Sequence, residues 1–289
     1  MNPAYVNHEI RNAIEIRGLL KTYGETHAVA GVDLEVQAGE VFALLGPNGA
    51  GKTTTIEILE GYRDRDGGTV SVLGEDPAKA GLSWRNKIGI VLQSNNDAAE
   101  ITVEEILNFF SDYYLNPRNV DEVINAVGLE EKRKSRGREL SGGQRRRLDV
   151  ALGILGNPEL LFLDEPTTGF DPEARRAFWD LIRGLRSDGT TILLTTHYLD
   201  EAEALADRVG VINNGRIVEV ATPATLGGRD SAKVIVRWSE GGHMKEERTD
   251  SPTELLRSLG ARFVGEIPEL TVSRPTLEDI YISMIEGEA

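Results

Sequence analysis

Residues 46–53 read Gly46-Pro47-Asn48-Gly49-Ala50-Gly51-Lys52-Thr53. This is a G-x-x-x-x-G-K-[ST] octapeptide, preceded by an apolar run at 40–45 and followed by a helical pattern at 52–59. Average composition gives such a pattern by chance in roughly 1% of chains this long. Glycines let main-chain N–H groups curl around phosphate oxygens without side-chain clash. The helix that follows points its positive end at the same anion. Lys52 is within reach of the β- and γ-phosphates of a bound nucleotide, and Thr53 offers a hydroxyl to Mg²⁺. Asn48, Gly49, Ala50, Gly51 and Thr54 complete the expected cradle. A glycine-rich turn that merely precedes a lysine would not require this strand-before, helix-after context.

A second strand candidate at 160–163 ends in Asp164-Glu165. Ligands bind at the carboxyl ends of strands in open α/β sheets. Acids at a strand end are usually solvated turn residues; a phosphate cradle upstream reverses that judgement. Asp164 then suits Mg²⁺, and Glu165 suits the orientation or deprotonation of an attacking water.

Apolar runs at 13–20, 29–36, 69–73, 88–92 and 191–195 read as further strands, residues 99–155 as helical, and 172–185 as a helix. Strand–helix alternation with near-continuous apolar strands predicts an α/β fold with a parallel sheet covered on both faces, interrupted by a helical insert. After residue 223 the pattern changes. A β-type run at 232–238, a polar stretch around Gly241 and Gly242, a helix at 252–259, two short strands and a terminal helix at 276–285 predict a small separate α+β domain.

The chain has 289 residues and no cysteine, which excludes disulfides and thiolate chemistry. No stretch approaches the roughly 18 apolar residues of a membrane span, and residues 1–15 hold no apolar block of a signal peptide, so a cytosolic setting is expected. Net charge of −15 disfavours both nucleic acid and direct adhesion to anionic lipid. The basic runs at 132–134 and 145–147 read as solvated helix faces.

Leu140-Ser141-Gly142-Gly143-Gln144 resembles the signature of the ABC ATPase superfamily, and also forms an S-x-x-Q capping box with a glycine entry. The resemblance spans about residues 12–222 with all motifs in order. It implies a P-loop NTPase with a mostly parallel core sheet, an antiparallel β subdomain and a helical subdomain at about 94–155; residues 223–289 form the accessory domain. It further implies that Tyr23 stacks on adenine, that Gln93 senses the γ-phosphate and Mg²⁺, that His197 contacts the γ-phosphate, and that Asp171 lies in a loop crossing a dimer interface. Asp171 is also a natural helix cap before Pro172. Phe170 departs from the leucine more usual there.

In this family two copies close head to tail on two ATP molecules, so Ser141, Gly143 and Gln144 would act in trans, and a separate membrane permease is driven from the cytoplasmic face of the membrane. The ending Arg274-Pro275-Thr276-Leu277-Glu278-Asp279-Ile280-Tyr281 is similar to the tail of bacterial drug-resistance exporters of the daunorubicin-resistance type, which implies an exporter of drug, lipid or other hydrophobic cargo. An importer ATPase shares every catalytic motif and stays open as an alternative. A soluble ABC ATPase acting on ribosomes or DNA is disfavoured by the single motor copy, the short insert and the acidic balance. The accessory domain reads either as cover for a sheet edge or as a dimer-stabilising element.

Overall fold

The computed structural model describes residues 12–91 and 100–286. The chain divides into two compact units, one ending at Val220 and one beginning at Ala221. The expectation for Gln93 falls outside the described residues.

The first unit opens with β1 (Asn12–Tyr23) and β2 (Thr26–Gln37), an antiparallel hairpin with Tyr23 paired to Thr26. Next come β3 (Val41–Leu45), α1 (Lys52–Leu59), β4 (Gly67–Val72), α2 (Leu82–Arg85) and β5 (Ile88–Val91). A helical block follows: α3 (Val103–Ser111), α4 (Val120–Ala126) and α5 (Gly142–Leu155). Then β6 (Leu160–Asp164), α6 (Pro172–Ser187), β7 (Thr191–Thr195), α7 (Leu199–Leu205), β8 (Arg208–Asn213) and β9 (Arg216–Ala221) complete it.

The main sheet runs β5-β6-β7-β3-β8-β9. The pairings β5–β6, β6–β7, β7–β3 and β3–β8 are parallel. β3 and β7 are buried along their whole length, as strands covered on both faces must be. A separate antiparallel sheet, β2-β1-β4, turns Ile14, Ile16, Val32, Leu34, Val70 and Val72 onto the same core as Phe42, Leu44, Ile56, Leu59 and Phe162. α1 thus lies within the core that these strands share. Each such side chain contributes roughly 1.5–3 kcal/mol on burial. Trp84 of α2 is buried in that core and satisfies its indole N–H on Val72 O at 2.9 Å.

The helical region is not one continuous run. Each helix starts where a side chain satisfies its first N–H groups. Thr102 and Glu105 form a reciprocal capping box for α3, Asn119 caps α4, and Ser141 with Gln144 caps α5. The breaks between them hold Gly128, at φ +63°, and short 3-10 turns at Glu130–Lys132 and Gly137–Glu139.

The second unit holds β10 (Val234–Glu240), β11 (His243–Thr249), α8 (Pro252–Arg262), β12 (Thr271–Ser273) and α9 (Leu277–Glu286). Its sheet is antiparallel in the order β11-β10-β12, over a small core of Val236, Trp238 and Leu259. The polar stretch after residue 240 is a strand, a correction to the sequence expectation. β11 is almost wholly exposed, so it carries no apolar alternation, and it is held by pairing to β10 and by an ion pair from Arg237 to Glu246 at 2.8 Å. Of the two short strands expected after α8, β12 alone is found among the described residues.

Candidate functional site

β3 leads into the phosphate loop at Gly46. A Cβ there would lie 2.4 Å from the Ile212 carbonyl oxygen, and one at Gly51 would lie 2.3 Å from that of Ala28. Gly51 also sits at φ +105°, a conformation that side chains oppose. The loop is therefore gripped by main chain from β8 on one side and β2 on the other. Two more main-chain bonds reinforce this: Gly215 N–H donates to Ala50 O at 3.0 Å, and Ala30 N–H donates to Gly215 O at 2.8 Å. Gly51→Ala is expected to cost about 1–3 kcal/mol of stability and to weaken nucleotide affinity, checked by thermal melting and ATP titration.

No side chain caps the start of α1, which leaves its first N–H groups directed into the loop for an anion. Lys52 is only 8% exposed. Its ammonium donates to Gly46 O at 2.7 Å and Pro47 O at 3.1 Å. Burial lowers its pKa, while Glu165 and Asp164 act in the opposite sense. The resulting cleft, of about 350 Å³, is lined by Tyr23, Ala28, Asn48, Gly49, Gly51, Lys52, Thr53, Thr54, Asp164 and Glu165. Ala50, buried beneath, supplies the carbonyl bonded by Gly215. A larger cleft of about 610 Å³ lies at the other ends of β6 and β7, beside Glu159 and Thr190; strand amino ends are not where open α/β sheets bind ligands.

The acids come from the adjacent strand end. The Thr195 hydroxyl donates to the Asp164 carboxylate. Glu165 N–H donates to Thr195 O at 3.1 Å, so β7 fixes the end of β6. Glu165 takes φ +46°, a left-handed conformation costing about 1–2 kcal/mol for a side-chain-bearing residue. That turn aims its carboxylate sideways, with Oε1 3.3 Å from His197 Nδ1 and Oε2 3.4 Å from the Thr168 hydroxyl. Lys52, Glu165 and His197 thus converge from the ends of β3, β6 and β7.

Arg146 corrects the reading of 145–147 as a solvated face. It is buried and donates to Asp164 O at 2.6 Å and Pro166 O at 3.1 Å, clamping the acid-bearing turn from α5. The helical period held the signal: Arg146 falls on the same stripe as the buried Val150, Gly153 and Ile154.

Ser141, Gly143, Gln144 and Asp171 are not among the residues lining this cleft. Ser141 and Gln144 make both capping-box bonds, at 3.3 and 3.0 Å. Asp171 caps α6 by accepting from Ala174 N–H at 2.7 Å. A Cβ on Gly143 would stand 4.0 Å from the Phe170 ring, so the two helix starts lie side by side. Tyr23, 41% exposed, borders the cleft with Arg63 5.3 Å and Lys21 5.6 Å from its ring centroid.

Glu60, at the end of α1, is a buried acid that sequence patterning did not single out. Burial first, then the charges of Asp164 and Glu57, push its pKa from 4.5 up to about 8. Because the unfolded chain ionises at the lower value, its contribution to stability is full below about pH 4.5. It is lost at up to about 1.4 kcal/mol per pH unit as pH rises toward 8. Glu60→Gln is therefore expected to melt higher than the natural protein at pH 8, by roughly 5 °C, with the gap closing at pH 5.

A glycine-gripped loop at a strand end, an uncapped helix start, a buried lysine and acids on a neighbouring strand define a P-loop nucleoside triphosphatase. A family model described as ABC transporter matches residues 29–168. The chain is 43% identical over 226 residues to the daunorubicin/doxorubicin resistance ATP-binding protein DrrA of Streptomyces peucetius, covering 76% of this chain and 68% of that protein. It is 42% identical over 218 residues to the Nod factor export ATP-binding protein I of Ralstonia nicotianae, covering 74% and 68%. A solved ATP-binding subunit of an ABC transporter superposes with a TM-score of 0.68 at 28% identity, covering 74% of this chain and 91% of that one. The chain belongs to the ABC transporter family, as an ATP-binding subunit that hydrolyses ATP.

Proposed function

We propose that the chain is the motor of an exporter, working on a separate polytopic permease at the cytoplasmic face of the membrane. The observation that carries the catalytic part is the meeting of Lys52, Asp164 and Glu165 in one cleft, with His197 set against Glu165 at 3.3 Å from the next strand end. Main-chain N–H groups of residues 49–54 and the Lys52 ammonium bind the triphosphate, and Tyr23 stacks on the adenine. Thr53 and Asp164, with Gln93 as a further expected ligand, would hold a Mg²⁺ ion, which would supply neutralisation of phosphate charge. Both fit the donor set: two oxygen ligands suit an ion that arrives with phosphates, and among the described residues no cluster of three or more His, Cys, Asp or Glu is arranged to hold one alone.

Glu165 orients the attacking water and accepts its proton. His197 holds Glu165 on one side and the γ-phosphate on the other. Ser141, Gly143 and Gln144, together with Asp171, meet the nucleotide of a second copy, so that ATP closes a head-to-tail pair and hydrolysis opens it. That these residues stand away from the cleft of their own chain supports a role in trans.

The names of the relatives, which speak of drug resistance and Nod factor export, support the export reading; drug, lipid or other hydrophobic cargo is the proposal drawn from the resemblance of the tail. Among the described residues no helix is long and apolar enough to cross a membrane, and a net charge of −15 opposes direct binding to anionic lipid. A partner protein is therefore the proposed anchor. The test is affinity purification of the chain from detergent-solubilised membranes, with and without ATP. Recovery of a polytopic membrane protein is expected. Recovery of ribosomes or nucleic acid without one would overturn the transporter reading and leave the ATPase intact.

A further inference from the structure

The loops that follow β6 and β7 carry Glu165 and His197, and both rest on an acid that the hydrolytic reading does not use. Glu201 of α7 has no exposed surface. The side chains of Thr196, Thr167 and Trp179 face its carboxyl, and Arg175 is the cation that acts on it. Thr167 and Thr196 are buried as well. Thr196 Oγ1 accepts from Tyr198 N–H at 2.9 Å and Arg175 Nη1 pairs with Asp200, so neither is committed to the carboxyl alone. Both Glu201 carboxyl oxygens, Thr167 Oγ1, Trp179 Nε1 and Arg175 Nε lack a hydrogen-bond partner among the described residues.

An unpartnered buried carboxyl is costly, and so is an unpartnered buried donor. A position that needed only volume would be better filled by an apolar side chain. Here donors and acceptor are gathered in one place, drawn from the loop after β6 (Thr167), the loop after β7 (Thr196), α6 (Arg175, Trp179) and α7 (Glu201). In such a set a small shift of either loop decides which bonds form.

Arg175 links the cluster to the site by a second path. Its Nη1 lies 3.3 Å from Asp200 Oδ2, and its guanidinium covers the Tyr198 ring at 4.3 Å. The Tyr198 ring packs on His197 at a 39° tilt with centroids 4.0 Å apart, and His197 meets Glu165 at 3.3 Å. Contact therefore runs unbroken from the buried cluster to both side chains.

We propose that Glu201 is a positioning residue for hydrolysis: its buried carboxyl gathers Thr167, Thr196, Trp179 and Arg175, so that the loops bearing Glu165 and His197 shift as one body and present both side chains to the γ-phosphate together. This rests on the roles given above to Glu165 and His197.

The test uses the full chain and measures ATPase kinetics, nucleotide binding and melting temperature. Glu201→Met removes the hydrogen-bonding group and keeps the volume. It is expected to lower kcat at least about tenfold, the scale of a misplaced catalytic group. KM and nucleotide affinity should stay within about twofold, with a melting temperature equal to or above that of the natural protein. Glu201→Gln, which keeps shape and an acceptor, is expected to restore kcat to within about threefold. Thr167→Val should lower kcat, and combining it with Glu201→Met should add little.

The inference is overturned if Glu201→Met turns over at the natural rate. A fall in kcat that only tracks a lower melting temperature, without rescue by Glu201→Gln, also overturns it. Should Glu201→Met fail to fold, an unchanged kcat in Thr167→Val overturns it instead. Glu165→Gln is run alongside as a control. Full turnover there would remove the catalytic reading beneath the inference, whereas an inactive Glu165→Gln beside a fully active Glu201→Met would remove the inference alone.

Discussion

Glu165→Gln is expected to slow ATP hydrolysis by about 10²–10⁴-fold and to leave ATP binding within about twofold of the natural protein. Glutamine has the shape of glutamate but is no base. The main-chain anchor of Glu165 on Thr195 O, at 3.1 Å, does not depend on the side chain, so the loop keeps its course. The contact with His197 loses its charged partner, and the proton of the attacking water loses its acceptor. With binding intact and chemistry blocked, the ATP-bound pair of copies should persist, and size-exclusion chromatography in ATP should show a dimer that the natural protein passes through only briefly. Hydrolysis at full rate by the variant would remove Glu165 from the mechanism.

Lys52→Ala acts on a different quantity, affinity itself. The ammonium is the one group of the cradle that carries a full positive charge, and its bonds to Gly46 O and Pro47 O hold it over the loop. A charge-assisted contact to phosphate contributes about 1.5–3 kcal/mol, so its removal is expected to weaken ATP binding by roughly 10–150-fold and to depress turnover further. The ammonium is mostly buried and its pKa is lowered by that burial, so losing it should change the melting temperature little in the absence of nucleotide. Unchanged nucleotide binding, measured by calorimetry, would count against the cradle.

The P-loop fold was legible because its elements are cheap to recognise: apolar strands buried on both faces, such as β3 and β7, leave no polar alternation to confuse them with anything else. The phosphate loop was legible because the neighbouring carbonyls leave no room for a Cβ at Gly46 or Gly51, where one would lie within 2.4 Å of a carbonyl oxygen. Other parts were hidden for definite reasons. β11 owes its existence to pairing, and a strand whose residues face solvent on an edge has no hydrophobic period to read. Arg146 lies in a run whose composition is that of a solvated basic face, while its helical phase sets it on the buried stripe of α5. Glu60 and Glu201 carry no signal in the sequence, because nothing in a lone acidic residue tells whether three-dimensional packing will bury it. The left-handed turn at Glu165 is likewise a product of tertiary structure, imposed by the β7 bonds and the Arg146 clamp together.

The grip on the phosphate loop is made almost entirely by backbone: Gly215 on Ala50, Ala30 on Gly215, and the carbonyls of Ala28 and Ile212 closing on Gly51 and Gly46. Main-chain groups neither titrate nor change rotamer. The receptor for the triphosphate is consequently shaped in large part before the nucleotide arrives, so little of the binding free energy is consumed in ordering its backbone. That energy is left over for work at a distance. A stiff loop behaves like the fixed jaw of a clamp, and whatever closes on it must supply the motion.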